Sequence, residues 1–66
     1  MVCSFVRGAQ ILRFEVTREG ALGYYRLVMT YPDGSEVIEQ IENPSDLTER
    51  TEALMKQLRE EGWELL

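Results

Sequence analysis

The chain has 66 residues, 44% of them hydrophobic and 29% charged, with a net charge of −5. That is one domain near the lower size limit, able to bury only about 60% of the surface its unfolded chain exposes. A single cysteine excludes an internal disulfide, and the absence of histidine removes the commonest metal ligand and the usual proton carrier near neutral pH.

With no disulfide and no Cys/His zinc set, the remaining ways to add buried area are tight packing and self-association. A homo-oligomer, a two-fold dimer, is the expected assembly. No run approaches the ~20 apolar residues of a membrane helix. Met1 to Val6 is too short for a signal-peptide core and lacks a basic leader. The expectation is therefore a cytoplasmic protein with a reduced thiol and no membrane partner. The charge is uneven: residues 1–31 carry four arginines against two glutamates, and residues 32–66 carry ten acids against three cations. A basic sheet layer attracting an acidic helix layer accounts for this, and so would a basic face offered to an anionic partner. The first explanation asks for less.

In chain order, Val2 to Val6 can form a short strand that Gly8 ends or bends, so residues 1–8 stay open. From Ala9 to Arg18 the alternation is clean, with Leu12, Phe14 and Val16 on one side and Ile11, Arg13, Glu15 and Thr17 on the other. Glu19 to Gly23 holds a turn. Tyr24 to Tyr31, rich in aromatic and branched side chains, is the strongest strand pattern.

Tyr31-Pro32-Asp33-Gly34 sets the register of the next strand. Proline holds φ near −65°, so a type I′ turn is excluded; it suits the second position of a type I turn with Gly34 as a left-handed bulge. The three-residue loop pairs Tyr31 with Ser35, and so Met29 with Val37, Leu27 with Glu39 and Tyr25 with Ile41. On the opposite face stand Thr30 with Glu36, Val28 with Ile38, Arg26 with Gln40 and Tyr24 with Glu42. Tyr25, Leu27, Met29, Val37 and Ile41 are the expected inner set. Glu39 breaks that set and must reach a sheet edge, or Arg50 or Lys56 on the helix.

Asn43-Pro44-Ser45-Asp46 predicts a helix start with Asn43 as cap and proline at the first helical position; a capping box from Asp46 to Glu49 is the neighbouring solution. Leu47, Thr51, Leu54, Met55 and Leu58 form its apolar stripe. Gly62 as the left-handed stop brings Trp63 back onto Leu58, so the indole is assigned to the core. Glu60 and Glu61 oppose the helix dipole there. Residues 63–66 can add a final short strand. The expected fold of residues 1–66 is a single α+β domain: three or four antiparallel strands with one C-terminal helix packed on one face.

Little in this pattern supports catalysis. Ser4, Ser35 and Ser45 have no imidazole to activate them, and Cys3 lacks a cationic neighbour and reads as a small hydrophobe. Alternation separates Glu39 from Glu36 and Glu42, which argues against a shared carboxylate site. Gly20 and Gly23 precede no helix, so no phosphate loop is indicated. No enzyme, cofactor or metal is expected. The candidate interaction face is the outer sheet face, where Tyr24, Arg26, Val28 and Ile38 should gather, with Arg13 beside them if its strand pairs there. An apolar pair ringed by polar groups suits a dimer seam or another protein. An arginine beside an aromatic on an open sheet also suits single-stranded nucleic acid. The acidic total, with Glu36 and Glu42 on that face, ranks this second. The chain thus reads as a non-catalytic, self-associating protein-interaction module.

The ending from Leu54 to Leu65, closed by Gly62-Trp63-Glu64-Leu65, resembles a pattern in short uncharacterised bacterial and phage proteins, where a strand or hairpin leads into a helix and then Gly-Trp-Glu-Leu. The resemblance covers about the last 40 residues. It implies an α+β fold, and it implies no known activity and no functional residues.

Overall fold

The computed structural model describes the backbone of residues 1–66 and every side chain other than that of Leu22. The elements are β1 (Val2–Arg7), β2 (Gln10–Glu19), β3 (Tyr24–Thr30), β4 (Glu36–Ile41), α1 (Pro44–Glu60) and β5 (Glu64–Leu65), with a short 3₁₀ turn at Gly20–Leu22. All pairings are antiparallel and the sheet order is β4-β3-β2-β1-β5. The expected three or four strands are therefore five. Residues 2–7 form a full strand between β2 and β5, and Glu64–Leu65 closes the sheet against Phe5 and Val6.

The four-strand meander follows from its turns. β1 and β2 join through Gly8-Ala9, with Arg7 opposite Gln10. At the β3–β4 loop Tyr31 N–H donates to the Ser35 carbonyl at 2.8 Å, Gly34 N–H donates to the Tyr31 carbonyl at 2.9 Å, and Gly34 sits at φ +90°. That is the loop the proline requires, and Met29–Val37, Leu27–Glu39 and Tyr25–Ile41 pair as its register dictates. The expected Tyr24–Glu42 pair is absent, because the β3–β4 ladder ends at Tyr25–Ile41. Tyr24 instead pairs with Glu19 of β2.

α1 starts and stops on local chemistry. Asn43 is the cap: its side chain accepts from Ser45 N–H at 2.9 Å and from Ser45 Oγ at 2.8 Å, and Pro44 is the first helical residue. The alternative start at Asp46 is not used. At the far end Trp63 N–H donates to the Leu58 carbonyl at 2.9 Å, Gly62 N–H donates to the Arg59 carbonyl at 3.0 Å, and Gly62 has φ +90°. These two bonds define a Schellman ending.

The helix lies on one face of the sheet and crosses from the β4 edge to the β5 edge. The core between the layers is Phe5, Leu12, Phe14, Leu27 and Met29 from the sheet, Leu54 and Leu58 from α1, and Trp63. Its centre is displaced from the expected one. Val37 is on the inner face but 46% exposed, while Tyr25, Ile41 and Leu47 are half-buried. Sheet burial is deepest at Leu12 and Phe14 of β2 and Leu27 of β3, and the β4 end is thinly covered. Cys3 packs half-buried against this core as a free thiol. Glu39 finds Arg50: Nε lies 3.0 Å from Oε1 and Nη2 lies 3.1 Å from Oε2. Among the described residues no buried side chain is polar or charged.

Candidate interaction face

The side of the sheet opposite α1 is uncovered. Pairing fixes its layout, because directly opposed residues in antiparallel strands share a face. Val2, Glu15, Val28 and Ile38 form one row across four strands, and Ser4, Arg13, Thr30 and Glu36 form the next. Thr17, Arg26 and Gln40 make a third row, with Glu19 and Tyr24 beyond it. Val6 and Ile11 lie opposite each other towards the β1–β2 turn.

All five candidate residues, Arg13, Tyr24, Arg26, Val28 and Ile38, lie on this face. Val28 and Ile38 are directly opposed, and Tyr24 and Arg26 are successive outward residues of β3. Arg13 is a diagonal neighbour of Val28, since β2 does pair beside β3. Val2, Ile11 and Ile38 are 53%, 54% and 51% exposed, a density of branched apolar side chains that a solvated sheet face does not need. Ile11 joins the face on the Arg13 side of β2, and Val2 and Val6 are members of it that sequence reasoning misses. Their signal is the alternation Val2-Ser4-Val6 against Cys3-Phe5, which gains meaning only once β1 is known to be an inner strand.

The charges on this face are already engaged with one another. Arg13 Nη2 lies 3.6 Å from Glu15 Oε2, and Arg26 Nη1 lies 3.9 Å from Glu19 Oε1. Such exposed pairs contribute about 0–1 kcal/mol each to stability, but they place a carboxylate beside each guanidinium. With Glu36 and Glu64 also outward, the face carries four glutamates against two arginines.

Elsewhere the reactive groups serve the backbone. Ser35 Oγ donates to Asp33 Oδ1 at 2.6 Å inside the hairpin loop, and Ser45 Oγ is bound to the Asn43 cap. Two open grooves flank the helix and another lies beyond its C-terminal end. One of about 630 Å³ between β4 and α1 is lined by Glu39, Glu42, Asp46, Glu49 and Arg50. A second, of about 520 Å³, is lined by Met1, Val16, Tyr25 and Leu47 with Arg18 and Glu52, and a third, of about 500 Å³, holds Arg7, Tyr31 and Trp63. No group of three or more His, Cys, Asp or Glu among the described residues is placed to hold a metal ion.

Set against known proteins, the chain matches no family model, no curated protein and no solved structure. No helix of the described residues is long and apolar enough to cross a membrane.

Proposed function

We propose that this chain is a non-catalytic, self-associating protein-interaction module that offers the open face of its sheet. The observation that carries the reading is the uncovered row Val2, Glu15, Val28 and Ile38, apolar at three of its four positions, with Ile11 two rows along β2, on a domain whose other face carries the helix α1. A layer left bare in a 66-residue protein is where further buried area is to be had. A reduced Cys3 and the charged surface fit a cytoplasmic setting. Light scattering on the purified chain should give about twice the 7.7 kDa monomer mass. A clean monomer at high concentration would remove the self-association.

A second reading, single-stranded nucleic-acid binding, draws on Tyr24 standing next to Arg26 on the open face. It ranks lower because each guanidinium on that face already has a carboxylate partner within 4 Å. Titration of labelled single-stranded RNA and DNA at low salt tests it. Binding that Arg26→Glu abolishes in a folded protein would reverse the order of the two readings.

A further inference from the structure

The two edges of the sheet are unequal. β5 is two residues long, whereas β4 is six and pairs with β3 alone. In an antiparallel ladder, hydrogen-bonded and non-bonded pairs alternate. Tyr31 and Ser35 form a bonded pair, so Val37, Glu39 and Ile41 turn their backbone groups to β3. Glu36, Ile38 and Gln40 therefore turn theirs away from the sheet. Three consecutive outward residues, none of them proline, make an open template for another strand.

The geometry points to antiparallel pairing of β4 with β4 of a second copy about a two-fold axis at Ile38, joining two sheets into one of ten strands. This rests on the self-association proposed above, but it seats the contact at the β4 edge and leaves the open face bare. Three arguments select it. A symmetric pair must match outward residues with outward residues, which leaves axes at Val37, Ile38, Glu39 or Gln40. The axis at Glu39 sets that carboxylate directly against its own copy, and those at Val37 and Gln40 shorten the overlap at one end of the strand. Only the axis at Ile38 pairs Glu36 with Gln40 and Val37 with Glu39, so that no glutamate directly opposes another. Glu39 is then diagonal to its own copy, and each is neutralised by its Arg50. On the open face the two Ile38 side chains meet, and the rows ending Val28–Ile38 in each copy run into one continuous strip. The remaining part of Val37, exposed at the thin end of the core, is covered from the side.

Three variants test the seam, each with its fold checked by circular dichroism. Gln40→Pro removes an outward N–H that β3 does not use and sets a ring against the incoming strand, a change an edge strand tolerates. It should weaken dimerisation by about tenfold or more, through two lost hydrogen bonds related by symmetry. In a Cys3→Ala background, Ile38→Cys should form a disulfide-linked dimer on mild oxidation, because directly opposed bonded residues stand about 5.5 Å apart at Cα. Glu36→Cys should not, its own copy lying about 13 Å away along the strand. A dimer that Gln40→Pro leaves intact and Ile38→Cys does not link would overturn the β4 seam while leaving self-association through the open face. A native chain that stays monomeric would overturn both.

Discussion

The Arg7 guanidinium lies 4.3 Å from the centroid of the Trp63 ring, and its Nη1 donates a 3.0 Å hydrogen bond to the Glu61 carbonyl. One side chain from β1 thereby clamps both the ring that closes the core and the last carbonyl of the helix. It also answers the two acids at that end: Glu60 and Glu61 oppose the dipole, and a cation from another element sits where the dipole calls for one. Arg7→Ala should lower stability by about 1 kcal/mol, through the lost stacking on Trp63 and the lost bond to the solvent-facing Glu61 carbonyl. Arg7→Lys should restore only part of it, because an ammonium cannot stack and bond at once. Thermal unfolding followed by circular dichroism measures both.

Gly62 isolates backbone from steric cost. A Cβ placed there meets only Arg7 Cδ at 3.6 Å, an ordinary contact, while φ is +90°. Gly62→Ala should cost about 1–2 kcal/mol from conformation alone, and Gly62→Asn less, since asparagine tolerates the left-handed region. Equal losses for both in urea unfolding would contradict this.

Glu39 and Arg50 form a bidentate pair whose side chains remain 31% and 44% exposed. A double-mutant cycle with Glu39→Gln and Arg50→Gln should return a coupling below about 1 kcal/mol, falling with added salt. A larger, salt-insensitive coupling would mean that the pair is desolvated in the assembled state.

The hairpin loop should show a pH signature. Asp33 Oδ1 accepts from Ser35 Oγ at 2.6 Å and Ser35 N–H at 2.9 Å, and these bonds hold its carboxyl below the ordinary 3.8. A carboxyl depressed in the folded state stabilises fully above its unfolded value and loses that contribution as pH falls through the folded one. The gap in urea midpoint between the native chain and Asp33→Ala should hold steady above about pH 5 and close as the pH drops below 3.8. A gap unchanged across that range would show the loop to be indifferent to the charge.

Local chemistry makes much of this fold legible. Pro32 excludes the tighter turn and so sets every pair from Met29–Val37 to Tyr25–Ile41; Asn43, Pro44 and Gly62 bound the helix; and Trp63 belongs to the core for reasons of area. What alternation cannot report is lateral position. It places Val37 on the inner face, but how far the helix reaches along the sheet depends on where its far end is anchored. That anchor is β5 on β1, a pairing between residues 60 apart that no local pattern encodes. For the same reason Phe5 is not legible as core. The outward side chains of β3 and β4 can be read as a set from the hairpin register, while Val2 and Val6 join them only once residues 2–7 are known to pair with β2.

The contact of Phe5 with Leu65 also sets an order of events during synthesis. β1, an interior strand, leaves the ribosome ahead of β2, β3 and β4, and its outer neighbour β5 follows all of them. Until α1, Trp63 and that segment emerge, Phe5 and Leu12 lack their lid. The nascent meander must therefore wait with its greasy side uncovered, and commitment to the native state comes only after translation has passed residue 65.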